Sequence, residues 1–308
     1  MFHVLVNTIL PIFSIIILGY FLKRRKTIDA AFARTANQIV FNVAIPAMLL
    51  NEIVQAPFKE NFDLTAVLCI LGALGLVLFA GLFCIRILGI PDSRRATFIQ
   101  SSFHGNIGYM AYAVAYFALG EGHFARMAIM SSFLMVGQNL LAVWALVTFG
   151  GGSSRKEHRW TFVRQVIQNP IIPTVAAGII YSALGFNLPP PMKKGLEILS
   201  GMAFPTALLL IGAGLSFGSF HLVAKEIVGI GVLKLAFLPL AGYTLMTAAH
   251  VPDPLILPAI ILLASPPATI TYVMAIELGG DPELAATSVS VFTLGSAFTY
   301  SAVLAIFA

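Results

Sequence analysis

Residues 101–109 read SSFHGNIGY and residues 264–272 read ASPPATITY, and both stretches interrupt long apolar runs. A proline inside a helix removes a hydrogen bond and clashes with the preceding turn, and paired glycines weaken the same ladder. Shifting the chain by 159 positions lays Asn106, Ile107 and Gly108 on Ser265, Pro266 and Pro267. Two helix breaks, Gly105 with Gly108 and Pro266 with Pro267, therefore stand at the same place in two halves of the chain. Freed backbone groups at membrane depth are tolerated only where protein or a watery cavity satisfies them. The paired breaks point to one shared site near the midplane, where half-helix N-termini favour an anion.

The same offset works outward from the breaks. It lays Pro11 and Ile12 on Pro170 and Ile171, Gly19 on Gly178, and AIPAMLL at 44–50 on AFPTALL at 203–209. Prolines and glycines are scarce enough that their agreement at one gapless offset marks a repeat. The spans read from apolar runs and breakers fall at about 3–22, 31–55, 63–88, 95–118, 122–148, 166–185, 192–217, 222–248, 254–278 and 282–307. The expected fold class is therefore an all-α integral membrane protein of ten transmembrane helices. Residues 1–149 form the first five-helix repeat, 150–165 a linker and 166–308 the second repeat. Five is odd, so the second repeat enters from the opposite side, which is the inverted-repeat signature of secondary transporters.

Composition agrees. Of 308 residues, 58% are hydrophobic and 10% charged, with mean hydropathy +0.92, against roughly 25% charged in an ordinary soluble domain. A soluble enzyme is excluded, and the net charge of +5 belongs to short loops, not to a nucleic-acid surface. The basic cluster at 23–26 follows the first apolar run instead of preceding it, so that run reads as a permanent span and not as a signal peptide. Thirteen of the eighteen Lys and Arg residues lie in loops after spans 1, 3, 5 and 7 or at the adjoining helix ends: residues 23–26, Arg34, Arg86, Arg94, Arg95, Arg155, Lys156, Arg159, Arg164 and Lys225. Positive-inside counting makes those loops cytoplasmic and both termini extracytoplasmic. Cys69 and Cys84 stand 15 positions apart in one span, about 22 Å along a helix, and cannot pair.

Polar residues near the breaks are the candidate ligand groups. Ser102, Asn106 and Tyr109 share a face by helical spacing, as do Ser265, Thr269 and Tyr272. Hydroxyls and amides hold a carboxylate without a buried full charge, although helix-to-helix hydrogen bonding uses the same residue types. Gln138 and Asn42 are the further amides placed near the cavity. Ionisable groups inside spans are scarce, and His104 and Lys234 are candidates for coupling. Lys234 replaces Gly75 of the first repeat, so its ammonium either stands in for a coupling cation or snorkels to the interface. No Cys/His spacing fits a metal, and no cofactor is called for.

Five segments carry a family resemblance: LPIFSIIILGYFLKRR at 10–25, ANQIVFNVAIPAMLL at 36–50, HGNIGY at 104–109, PTALLLIGAGLSF at 205–217 and PPATITYVMAIELGGDPELAATSVS at 266–290. Together they resemble the auxin efflux carrier family, which includes bacterial organic-anion transporters and the plant PIN-FORMED carriers. The resemblance implies a fold shared with sodium/bile-acid symporters. Helices 1, 2, 6 and 7 would form a scaffold, and a transport domain would hold crossed helices 4 and 9. Substrate would sit at the crossing beside Asn106, with Ile45 and Leu49 at scaffold positions facing it. The second break, Ser265-Pro266-Pro267-Ala268, departs from the plant pattern of one proline followed by a larger polar residue, so an indole acid is not the expected substrate.

The expected function is a secondary or facilitative transporter of small organic anions, carboxylates among them, moving by an elevator-like mechanism in the cell inner membrane. A sodium-coupled symporter of the same fold is the alternative. The expected partners are the organic anion and the lipid bilayer, with no nucleic acid, and a homodimer stays open. An enzyme would need paired acids or a nucleophile constellation at membrane depth, and a channel a symmetric filter. Neither accounts for the repeat.

Overall fold

The computed structural model describes residues 5–55, 61–119, 121–150, 170–186, 188–217 and 220–307. The linker expected at 150–165 falls almost wholly outside the described residues. Among the described residues the chain is helical, and its one β-type contact is an isolated bridge between Gly105 and Pro267.

Among the described residues, besides a short helical turn at Phe220–Leu222, twelve helical segments follow one another: α1 Val6–Arg24, α2 Ala30–Val54, α3 Leu64–Ile87, α4 Asp92–Phe103, α5 Ile107–Leu119, α6 Glu121–Phe149, α7 Ile171–Ala183, α8 Pro190–Gly214, α9 Ala224–Ala248, α10 Asp253–Leu263, α11 Ile270–Leu278 and α12 Pro282–Phe307. Seven of them, α1, α2, α3, α6, α8, α9 and α12, are long and apolar enough to cross a membrane, whereas α5, α7 and α10 are shorter apolar helices. The protein is thus a multi-pass membrane protein. Large apolar side chains such as Phe79, Phe83, Phe298 and Ile306 stand 65–82% exposed, which is tolerable only where the solvent is lipid.

Local chemistry starts and stops these helices. Asp29 and Asp63 accept from the backbone N–H groups of Phe32 and Ala66 at 2.7 and 2.8 Å, capping α2 and α3. Asp281 caps α12 by accepting from Glu283 and Leu284. Gly279, with φ of 77°, closes α11 in the left-handed conformation that glycine adopts without a Cβ penalty. π-helical turns interrupt α2 at Val40–Ala44 and α9 at Val232–Phe237, and open α5 at Ile107–Ala111.

Shifting Ala30–Val54 by 159 gives 189–213, against Pro190–Gly214 for α8. Leu64–Ile87 gives 223–246, against Ala224–Ala248 for α9. The packing divides the helices into two groups. α1 runs along α8 and α7 runs along α2, while α3, α4, α6, α9, α10 and α12 pack on one another. Backbones approach closely in the first group. A Cβ on Gly19 would collide with the carbonyl oxygen of Leu209, and one on Gly212 with that of Ile16. Small residues give helices in lipid this kind of close contact, because association there depends on packing and not on the hydrophobic effect.

Candidate functional site

The two breaks meet. Asn106 N–H donates to the carbonyl of Pro266 at 2.7 Å, Ala268 N–H donates to the carbonyl of His104 at 2.9 Å, and Gly105 lies opposite Pro267. Backbone groups released from one helix are therefore satisfied by the other, which is how irregular chain persists among apolar helices. The side chains at this junction are fitted to it. Gln138 of α6 reaches across to Gly105, accepting from its N–H at 3.0 Å and donating to its carbonyl at 3.2 Å. A Cβ on Gly105 would collide with Ser265 Oγ and lie 3.1 Å from Lys234 Nζ.

Beside the junction is a cavity of about 330 Å³. Its walls combine Asn37 and Phe41 from α2, the stretch 104–109, Met135, Gln138 and Asn139 from α6, Ile171 from α7, and Ala268, Thr269, Ile270 and Val273 around the start of α11. Among the described residues no Lys, Arg, Asp or Glu lines it. Asn106 is 5% exposed. Its Oδ1 accepts from Tyr109 N–H at 3.3 Å and so caps α5, while its Nδ2 finds no hydrogen-bond partner among the described residues. Tyr109 donates its phenol to Asn37 Oδ1 at 2.6 Å. A buried, unpartnered amide donor on a cavity wall has a ligand acceptor as its natural partner.

The junction brings Asn106, Tyr109, Thr269, Gln138, His104, Gly105 and Gly108 to this cavity, and it leaves other candidates elsewhere. Ser102 is buried and donates to Phe98 O at 2.8 Å, Ser265 is buried and donates to Leu262 O at 2.7 Å, and Tyr272 is 43% exposed on the outer surface. Helical face-sharing holds only along a continuous helix. The breaks at 104–106 and 264–269 reset the register, so residues on either side of them diverge. Asn42 is exposed and donates to Gln38 O, and Asn37 is the amide of α2 that lines the cavity. Asn37 and Phe41 share a face by their spacing of four, and that is the signal that would have selected Asn37 over Asn42.

Ile45 and Leu49 are fully buried and lie between two cavities along α2. Asn37 and Phe41 line the first, and Asn51 and Gln55 line a second of about 390 Å³ at the other end of the helix. Pro266 and Pro267 form the strand-like side of the junction and are not part of the cavity wall. Lys234 does not snorkel. Its side chain is 1% exposed and turns inward, and Nζ donates to Leu263 O, at the C-terminal end of α10, at 2.9 Å. His104 Nδ1 faces Gln100 Nε2 at 3.4 Å.

A second polar cluster was not anticipated from sequence. Arg94 donates to Glu226 at 3.0 Å and to Asp281 at 3.2 Å, joining the start of α4 to the starts of α9 and α12. Among the described residues no group of three or more His, Cys, Asp or Glu comes together to hold a metal.

Comparison with known proteins follows the same lines. The family described as membrane transport protein matches residues 4–304. A putative malonate transporter of Rhizobium meliloti is 28% identical, over 96% of this chain and 93% of its own. The uncharacterized transporter YfdV of Escherichia coli is 22% identical, over 96% and 95%. An uncharacterized transporter of Methanothermobacter thermautotrophicus is 26% identical, over 94% and 93%. With breaks, junction and cavity in place and a family match over nearly its whole length, the chain belongs to the membrane transport protein family, the auxin efflux carrier family that its motifs resemble.

Proposed function

We propose that the protein carries small organic anions, carboxylates among them, across the cell membrane by alternating access, binding them where the two helix breaks meet. The observation that carries this reading is the cavity at the junction. Among the described residues Asn106 Nδ2 has no partner and no acidic side chain stands on the wall, and the first turns of α5 and α11 open on it. The first-turn N–H groups of Ile107, Tyr109, Thr271 and Tyr272 already donate to Gly105 O, Asn106 Oδ1, Ala268 O and Thr269 O. The two helix N-termini still carry partial positive charge, which together with the amide suits a carboxylate. The name of the Rhizobium relative, a putative malonate transporter, supports the same substrate class.

In this reading α4 with α5 and α10 with α11 each make one interrupted span, giving ten spans in two inverted repeats, 1–149 and 166–308 joined by the 150–165 linker. Hydrogen bonds at the helix ends support the alternation. Arg94, Glu226 and Asp281 belong to ends assigned to the cytoplasm by the basic-residue count, and they meet. Lys193 and Gln55 belong to ends assigned to the opposite side, and they meet at 2.6 Å. Both termini are then extracytoplasmic. α1, α2, α7 and α8 are the scaffold, against which the remaining helices and the crossed breaks move as an elevator. Ile45 and Leu49 separate the substrate cavity from the opposite vestibule. The carrier works without sodium, because the Leu263 carbonyl at a half-helix C-terminus, the type of group that coordinates sodium in such folds, is occupied by the Lys234 ammonium.

A thermal-shift series of mono- and dicarboxylates on the purified protein tests the reading, since a ligand that binds the native state raises its apparent stability. At least one carboxylate should stabilise the wild type saturably, and Asn106→Ala should weaken that binding at least about tenfold through loss of a hydrogen bond to a charged partner. No shift across the series, or equal shifts in wild type and variant, would contradict it.

A further inference from the structure

We propose that the second cavity, at the other end of α2, is a binding site for a small organic ammonium ion, a primary alkylamine in its charged form. This ligand is opposite in sign to the anion of the junction, and its binding is independent of the carboxylate reading.

Helical spacing builds the walls. Met48, Asn51, Glu52 and Gln55 follow the i, i+3, i+4, i+7 pattern along one face of α2 and its C-terminal cap, and Lys193, Glu197 and Ser200 follow i, i+4, i+7 along α8. Tyr116 and Phe117, near the end of α5, close the third side. Gln55 is engaged at both ends of its amide: Nε2 donates to Asn51 O at 2.8 Å, and Oε1 accepts from Lys193 Nζ at 2.6 Å. Asn51 is 7% exposed, and its Oδ1 finds no hydrogen-bond partner among the described residues. The buried orphan at the junction is a donor, Asn106 Nδ2, whereas the orphan here is an acceptor. A buried acceptor on a cavity wall calls for a ligand that donates.

Charge and rings decide the kind of donor. Among the described residues the wall carries two carboxylates, Glu52 and Glu197, against one ammonium, Lys193, which is turned to Gln55. Glu197 also meets Lys194 at 3.1 Å, an exposed pair that water screens. Three aromatic rings stand on the same wall. Tyr116 lies 5.2 Å from Phe204 and 5.4 Å from Phe117, and Phe117 lies 5.7 Å from Phe204, between centroids. Such rings offer cation–π attraction to a charged head and apolar contact to its chain. A primary ammonium brings N–H donors to Asn51 Oδ1, positive charge to the carboxylates and an alkyl stem to the rings. A carboxylate would meet like charges and an acceptor with no hydrogen to share. In the topology proposed above this cavity lies on the extracytoplasmic side, so the amine arrives from outside.

Calorimetric titration of the purified protein at neutral pH with butylammonium chloride, 1-butanol and potassium butyrate tests this, on the wild type and on Asn51→Leu and Glu52→Gln. The probes are similar in size and differ in charge, and the amine is protonated at that pH. Butylammonium should bind the wild type saturably, at least about tenfold more tightly than 1-butanol. Each variant should weaken that binding at least about tenfold, by loss of a hydrogen bond or a charge partner. Asn51→Leu also removes an unsatisfied buried group, so the fold should survive it; should one variant not fold, the other decides. Absence of saturable butylammonium binding, equal binding of 1-butanol, or wild-type affinity in either folded variant would overturn the proposal. Butyrate binding that falls with Asn51→Leu would assign the cavity to an anion and would also overturn it. These outcomes are separate from those of the carboxylate series, because butylammonium carries no carboxylate.

Discussion

Gly105 and Gly108 look alike in the sequence and differ in what surrounds them. A Cβ at Gly105 runs into Ser265 Oγ, which is itself tied to Leu262 O, whereas a Cβ at Gly108 meets only Ile171 and Ile45 at 3.8 and 3.9 Å. Gly105→Ala should cost about 1–3 kcal/mol of overpacking and abolish transport, while Gly108→Ala should leave the folded protein intact. Thermal melts of the two variants check this contrast. Lys234 is the other residue whose role depends on its surroundings. Lys234→Met keeps the volume but leaves Leu263 O without its partner at the junction, where an unsatisfied group costs about 1–3 kcal/mol. Transport by that variant should fall at least about tenfold, and uptake equal to wild type would contradict the part given to the ammonium. The sequence located Lys234 inside a span but could not say which way its stem turns, because snorkelling and burial differ only in side-chain direction. Asn106 was legible because it sits inside the break motif. Ser102 and Tyr272 do not line the junction cavity, because a face rule holds only along a continuous helix and each break ends one.

At the scale of elements, the repeat offset located both breaks from prolines and glycines alone, and their meeting is a tertiary fact that periodicity does not contain. Two backbone hydrogen bonds between His104, Asn106, Pro266 and Ala268 make it. The clamp from Gln138 to Gly105 is of the same kind, since an amide 33 residues away in the chain carries no local signal of its partner. The pairing of α1 with α8 depends on glycines whose close contacts are equally invisible locally. Gly212→Ala would push a methyl into Ile16 O, while Gly75 has nothing within 4 Å. Gly212→Ala should lower the melting temperature of the purified protein. Gly75→Ala should leave it unchanged or raise it slightly, by the helix propensity gain of up to about 1 kcal/mol. Equal behaviour of the two variants would contradict the close approach of α1 and α8.

For the whole molecule, a high apolar fraction and long uncharged runs define a multi-pass membrane protein before any motif is read, and the family match over residues 4–304 agrees. Among the described residues Lys234 is a basic side chain buried inside a span, its Nζ against Leu263 O at the end of α10 instead of in water. The central claim is that an organic anion crosses the membrane through the Asn106 junction without a sodium partner. Its direct measurement is uptake, into sodium-free proteoliposomes, of the radiolabelled carboxylate that most stabilises the protein. Wild-type protein should give saturable uptake in choline buffer, with Asn106→Ala reduced at least about tenfold by the lost hydrogen bond. Uptake that appears only when sodium is supplied, or that proceeds equally in the Asn106→Ala variant, would contradict it.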